Sequence, residues 1–436
     1  KIYQKYFLIL KTDYDYVGAE NQNMTAELRI NRERLWQSHM ELGKIGALPG
    51  GGNCRLTLTD EDKQARELFI EWCREAGCEV RFDRVGNMFV RRAGRQNELS
   101  PVACGSHLDT QPHGGKFDGI YGVLAGLEII RTFNDQNIET ERPIEIAVWI
   151  NEEGVRFPIG VAGSGAFVGV YNADELLSLE SQDGPTWGEE LQRCGFAGDE
   201  EPGSRDIDTF FEVHIEQGPV LENAGKTIGI VTGAQGLRWL SIVVKGMDSH
   251  AGTTPLSLRK DALLAASQMV SAANVIALNE GENARLTVGQ LNVIPNGPST
   301  IPKEVQFIVD FRHPDEAVLD RMQEKMHQQF ASIADDTGTD LQMTPKISMA
   351  PVKFDPECIA AVQLANKECD YDAMEILSGA GHDAVYISRV APTSMIFVPS
   401  RDGISHNEAE YSSPEDLEAG CNVLMHAMLR RANRSN

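Results

Sequence analysis

The stretch PVACGSHLDTQPHGGKFDGIYGVLAGLEIIRTFND, residues 101–135, decides how the rest of the chain is read. Its opening, VACGSH, is a short and almost continuously apolar run, the pattern of a strand covered on both faces. A glycine-rich loop holding Asp118 follows, and IYGVLAGLEIIRTFND then reads as a helix. Outward from this unit the same alternation recurs. Residues 26–46 and 59–77 are helical in pattern, the second with Asp60 and Glu61 near its start and Gly77 at its stop. EVRFDRVGNMFVRR reads as a hairpin, and IEIAVWI, TFFEVHI and TSMIFVP read as further buried strands. Short apolar strands separated by helices predict an α/β core with a largely parallel sheet.

Residues 229–349 break that rhythm. RWLSIVVKG is a strand, and Thr254-Pro255 reads as an N-cap followed by proline at the first helical position. The helix expected after it carries Leu263, Ala266, Val270 and Ala273 on one face. RLTVGQLNVI and KEVQFIVDF are strands, a helix is expected over 315–334, and LQMTPKIS is a last strand. The order βαββαβ fits an α+β, ferredoxin-like unit inserted into the main domain. The core domain is then discontinuous, 24–228 plus 350–436. Residues 1–23 read as an N-terminal extension outside the fold.

Composition narrows the function classes. With 436 residues and 42% apolar content the chain can build two cored domains. Its formal charge of −24 repels phosphate backbones and anionic lipid surfaces, so a small-molecule substrate is expected, with no nucleic acid and no membrane partner. No apolar run reaches membrane-spanning length. The eight cysteines are scattered without a CxxC pair, which reads as reduced thiols in a cytoplasmic protein.

Chemistry gathers at the ends of the predicted core strands. VACGSHLDT ends in His107 and Asp109, IAVWINEEG in Glu152 and Glu153, FFEVHIEQG in His214, and MIFVPSRDGISHNEAE in His406. Open α/β sheets place their sites at the carboxyl ends of strands, so these side chains can converge. Three imidazoles with several carboxylates make a donor set suited to zinc or another first-row divalent metal. Any one of them is equally at home as a polar loop residue; the recurrence at four strand ends carries the argument. The glycines around Asp118 permit close approach of the backbone to a bound ion.

GSHLDTQPHGGKFDGIYG, AVWINEEGVRF, FEVHIEQGPVLE, DSHAGTTP, VDFRHPDE, SGAGHDA and SHNEAEY, in this order, resemble the two-zinc amidohydrolases of the M20 clan. Within it they look most like the N-carbamoyl-L-amino-acid amidohydrolases, with β-ureidopropionase and allantoate amidohydrolase as sister activities. The resemblance implies two divalent ions per subunit, zinc first, with manganese, cobalt or nickel also compatible with the ligands. Asp118 would bridge them, His107 and His214 completing one site and Glu153 and His406 the other. It further implies Asp109 as the carboxylate orienting a ligating imidazole, Glu152 as general base, and His250 as the oxyanion donor and substrate contact, supplied across a homodimer by the inserted dimerisation and lid domain. Arg312 would clamp the substrate carboxylate, with Gln217 and Gly381 as further contacts and His382 at most behind the ligands.

One position departs from the family pattern. Ser299 stands where the family usually has asparagine, so either Asn296 substitutes or carboxylate recognition is altered. The activity implied is hydrolysis of N-carbamoyl L-α- or β-amino acids. Allantoate hydrolysis, an M20-type dipeptidase or aminoacylase, and a metal-dependent binding protein without catalysis are the alternatives.

Overall fold

The computed structural model describes residues 27–434; the extension read at 1–23 lies outside them. The chain divides into two compact units. One comprises the described residues up to Thr232 with Phe354–Ile376 and those from Gly381 onward; the other comprises Gly233–Lys353 and Leu377–Ala380.

The first unit begins with the helices Arg32–Leu42 and Asp60–Glu75, the second capped by Thr59, whose hydroxyl accepts the Asp62 N–H. Its strands are β1 (Glu79–Phe82), β2 (Met88–Arg92), β3 (Val102–His107), β4 (Ile144–Trp149), β5 (Thr209–Ile215) and β6 (Ile228–Ala234). The chain then forms β7 (Gly236–Lys245), β8 (Ser249–His250), β9 (Arg285–Ile294), β10 (Thr300–Ile301), β11 (Glu304–His313) and β12 (Asp340–Met349) in the second unit. β13 (Val352–Lys353) leads back to β14 (Ala373–Ser378) and β15 (Thr393–Val398).

In the first unit the sheet runs β1-β2-β4-β3-β5-β15-β6. The middle four strands are parallel, and the hairpin strands β1 and β2 and strand β6 are antiparallel additions at the flanks. Every residue of β3, β4, β5 and β15 is buried, as their largely apolar runs predict, Glu145 and Glu212 included. The helices Ile120–Asp135 and Pro414–Ala432 pack on these strands and on each other. Because the four central strands point the same way, their carboxyl ends share one edge of the sheet, and the loops after them meet there.

The second unit is an antiparallel sheet in the order β12-β7-β11-β9, covered by the helices Ala262–Leu278 and Glu316–Thr337. The apolar residues of β11 alternate with polar ones, and burial follows: Val305, Phe307, Val309 and Phe311 are buried, while Asp310 and Arg312 lie on the other face. Val305, Phe307, Val309 and Phe311 join Leu240, Ile242, Met322, Met326 and Phe330 in one core, each contributing about 1.5–3 kcal/mol on burial.

The entry to the first of these helices differs from expectation. Pro255 has extended backbone (ψ 145°) and leads only into a single 3₁₀ turn, Leu256–Leu258. The α-helix starts after Asp261, whose carboxylate accepts the Leu263 and Leu264 N–H groups and outcompetes Thr254 as the cap. The buried face keeps Ala266 and Ala273, with Val270 at its margin. Ala262, Ala265, Ala266, Met269, Ala273 and Ile276 are buried, and Leu263, named on the apolar face, is exposed.

Candidate metal centre

The site is built around Asp118, which follows the glycine loop and directly precedes the helix Ile120–Asp135. Its two carboxylate oxygens face different partners. Oδ1 lies 3.2 Å from His214 Nε2 and 3.7 Å from His107 Nε2. Oδ2 lies 3.2 Å from His406 Nε2, which is in turn 3.6 Å from Glu153 Oε2. Two donor groups thus share Asp118: His107, Asp118 and His214 on one side, and Asp118, Glu153 and His406 on the other, each with its donor atoms within 4.8 Å of one another. A third group, Glu212, His214 and His382, lies behind the first.

The backbone aims these donors. The two imidazoles at the ends of β3 and β5 donate Nδ1–H to main-chain carbonyls, His107 to Asp109 (2.9 Å) and His214 to Ile215 (2.8 Å). Each therefore turns its Nε2 toward Asp118, and the Gly119 N–H lies 3.1 Å from His214 Nε2. The orienting group for His107 is thus the Asp109 carbonyl; the Asp109 carboxylate, expected in that role, stands 3.9 Å from Nδ1. It accepts instead the N–H groups of Glu152 (3.3 Å) and Glu153 (3.2 Å) and the Thr57 hydroxyl (3.1 Å). Its negative charge anchors the NEEG turn through main-chain donors, which a neutral carbonyl does less strongly.

Three non-glycine residues here have left-handed backbone: Asn151 (φ 56°), Gln217 (φ 59°) and His406 (φ 51°). Such conformations cost roughly 1–3 kcal/mol each and persist where surrounding structure enforces them. Asn151 is held by its amide, which donates to the carbonyls of Phe157 and Ile159. Gln217 donates through Nε2 to Asp118 Oδ2 (2.8 Å), so it meets the shared carboxylate itself.

The glycines beside Asp118 leave room for neighbouring side chains. A Cβ on Gly119 (φ +71°) would stand 2.3 Å from the His107 ring, and one on Gly115 would stand 1.9 Å from Glu410 Oε1. They make room for other side chains of the site.

Burial drives the Glu152 carboxyl well above its usual range, and the charges of Glu153, Asp383 and Asp118 push the same way. Glu153 is raised to about 7 by burial and then by Asp118. Burial would lift Asp118 too, but its contacts with His214 and His406 hold it well below the ordinary value. His406 is raised to about 9 by its contact with Asp118. The cluster thus draws positive charge toward Asp118, a demand that a divalent cation meets as well as protons do. With the Nε2 atoms of His107 and His214 already turned toward Asp118, the donor set fits a bound metal ion, which would replace protons there.

Residues that the sequence reading passed over complete the surroundings. Glu410 accepts the N–H groups of Phe117 and Asp118 and the Ser405 hydroxyl. Glu212, buried in β5, accepts from Ser106 (2.6 Å) and from the Ala384 N–H, and Asp383 accepts from Ser164 (2.5 Å). The His382 ring lies edge-on to His214 with centroids 4.6 Å apart. A charged residue in the middle of the apolar run TFFEVHI was the available signal for Glu212. Gln111 donates to Glu153 (2.6 Å).

The other expected contacts fall as follows. Gly381 belongs to the first unit and has open space where a Cβ would be. His250, Ser299 and Arg312 belong to the second. His250 lies on β8, paired with Thr300 of β10, and the Ser299 carbonyl accepts the Ala251 N–H. Its Nδ1 accepts the Gly252 and Thr253 N–H groups, which leaves Nε2–H as the donor.

Residues 103–430 match the family described as Peptidase family M20/M25/M40, and the chain belongs to that family of metal-dependent hydrolases. It is 44% identical to an N-carbamoyl-L-amino-acid amidohydrolase of Rhizobium meliloti, over 93% of this chain and 97% of that protein. An allantoate amidohydrolase of Bacillus subtilis is 35% identical over 95% of this chain and all of its own length. A crystal structure described as an amidase of the hydantoinase/carbamoylase family from Burkholderia multivorans superposes with a TM-score of 0.90 at 52% identity, covering 94% of this chain and all of that one.

Gly119→Ala should displace the His107 ring and lower metal affinity roughly 10–100-fold, the usual effect of disturbing what orients a ligand. Metal content after dialysis, measured by mass spectrometry, checks this; a full metal complement in the variant would contradict the role given to Gly119.

Proposed function

We propose that this protein is a metal-dependent amidohydrolase that cleaves the carbamoyl C–N bond of N-carbamoyl L-α- or β-amino acids. Water and the substrate give the free amino acid, carbon dioxide and ammonia. The observation that carries the hydrolytic reading is Asp118 shared between two donor groups with a neighbouring carboxylate, Glu152, left over: its Oε2 is 3.7 Å from His107 Nε2. The carbamoyl substrate is supported by the names of the relatives.

Asp118, His107 and His214 would hold one divalent ion, and Asp118, Glu153 and His406 a second, zinc first with manganese, cobalt and nickel also compatible. Bound there, the ions supply Lewis-acid polarisation of the ureido carbonyl and acidify water. Glu152 takes the proton of the attacking water and delivers it to the leaving nitrogen. The His250 Nε2–H donates to the oxygen that becomes negative as the carbonyl carbon turns tetrahedral. Arg312 binds the substrate carboxylate, and Gln217, Ser299 and Gly381 contact the substrate. Ser299 is tied in through its main chain, so its side chain is free to shape which amino acid is accepted.

The active form in this proposal is a homodimer in which His250 serves the partner's site, as the family resemblance implies. The second unit supports this with apolar residues left on its surface: Leu264, Val275 and Leu278 on one helix, and Leu291 and Ile294 on β9 at the sheet edge. Such a patch with an open strand edge is a surface for a second copy. Eight free thiols support a cytoplasmic location, and among the described residues no helix is long and apolar enough to cross a membrane. Allantoate hydrolysis is the second reading, supported by the Bacillus subtilis relative.

Ammonia release from N-carbamoyl-L-methionine, N-carbamoyl-β-alanine and allantoate separates these readings. Release from the first two is expected; release from none, with cleavage of a dipeptide, would sink the proposal. Glu152→Gln should keep its metal and lose activity roughly 10²–10⁴-fold, whereas Glu153→Gln should lose metal. Normal turnover by Glu152→Gln would show the base to be elsewhere. Mixing inactive Glu152→Gln with inactive His250→Ala should restore activity if His250 acts across the dimer, because a mixed pair then contains one intact site. No recovery in verified mixed dimers would place His250 in its own subunit's site.

A further inference from the structure

Arg312 is held by two groups of the second unit, one of them braced in turn by a third. Asp310, two residues earlier on the same face of β11, accepts from its Nε (3.0 Å) and Nη2 (2.9 Å), and the Gly379 carbonyl accepts from Nη1 (2.8 Å). Directly across the antiparallel ladder from Asp310 stands Trp239 on β7, whose indole N–H donates to Asp310 Oδ2 at 2.9 Å. A guanidinium has five N–H donors. Three are engaged here, which leaves one on each Nη, the pair that a carboxylate accepts head-on.

An acidic and a basic residue two apart on a half-exposed strand face are ordinarily a weak surface pair that contributes little. Two features set this pair apart. The contact is bidentate, so it fixes the plane of the guanidinium as well as its position. The carboxylate is itself pinned by an indole that has no charge to balance, and the opposite side of the fork is pinned by a main-chain carbonyl.

We infer that Asp310, braced by Trp239, is a positioning residue for substrate recognition that fixes the free edge of Arg312 and thereby selects carboxylate-bearing substrates. This rests on the reaction proposed above, in which Arg312 receives the substrate carboxylate. Asp310 also offsets the charge of Arg312, so the free edge selects by direction and contact. A carboxamide offers one oxygen acceptor and an NH2 group that meets the second N–H unfavourably, and is rejected.

The test compares N-carbamoyl-L-methionine with its primary amide as substrates of the full chain supplied with Zn2+ or Mn2+. Asp310→Asn should raise KM for the acid about tenfold with kcat altered less than about threefold, and leave kcat/KM for the amide unchanged. Trp239→Phe, which removes the N–H and leaves a smaller aromatic ring, should shift the acid-to-amide ratio the same way by about threefold. A parallel fall for both substrates, or an unchanged KM for the acid in Asp310→Asn, would overturn the inference while leaving the reaction standing. Wild-type turnover of neither substrate would overturn the reaction and this role with it.

Discussion

The buried carboxylate of Asp118 is the constraint on which the site depends. A lone ionised group at such depth is costly unless paired, and Asp118 meets that cost by offering each oxygen to a different imidazole. The price of this arrangement is crowding, because Glu152, Glu153 and Glu410 are drawn into the same space and burial lifts all three. The fold accommodates the crowd by small means. Gly119 and Gly115 leave out the methyl groups that would collide with His107 and Glu410. Three left-handed residues turn the chain sharply enough for strand ends and loop to face one centre. Such strain is tolerable only where something stabilises the closed arrangement, and a cation among these donors would do so.

The two glutamates of NEEG illustrate how one turn supports two kinds of work. Both main-chain N–H groups are gathered by the Asp109 carboxylate, so the turn is fixed without using either side chain. Glu153 is then directed to Gln111 and toward His406, while Glu152 lies on the His107 side. A carboxylate on a metal is held ionised and carries no proton readily; its neighbour, pushed upward by burial and by the charges around it, does so easily. Adjacent residues diverge in chemistry because the bend that follows left-handed Asn151 sends their side chains to different partners.

Much of this was legible in the sequence because parallel strands buried on both faces have to be apolar throughout. VACGSH, IEIAVWI, TFFEVHI and TSMIFVP announced themselves, and polar residues at their ends stood out by contrast. In β11 the alternation named the buried face residue by residue. Legibility failed where the deciding interaction was between a side chain and a distant main chain. That Asp261, and not Thr254-Pro255, starts its helix depends on which carboxylate reaches two N–H groups. That the Asp109 carbonyl orients His107 depends on the path of the loop, whereas the family resemblance implied its carboxylate. Glu410 and Asp383 lie inside motifs that were noticed, but nothing local distinguished them from solvated neighbours.

Charge sets the terms on which the two units divide their labour. At −24 the chain as a whole repels anions, so a carboxylate-bearing substrate gains nothing from long-range attraction. The residue proposed to bind that carboxylate is an arginine already balanced by Asp310, which weakens its field at a distance still further. What remains is directional: two N–H groups in a plane fixed by Asp310, Trp239 and the Gly379 carbonyl. Recognition of this kind acts at contact, and it discriminates by geometry, since a group that cannot accept both hydrogen bonds leaves one donor unsatisfied. The reacting end asks for the opposite property. There the carboxylates are left in excess, so that positive charge is drawn to the centre, and Glu152, proposed to carry the proton, stands among them.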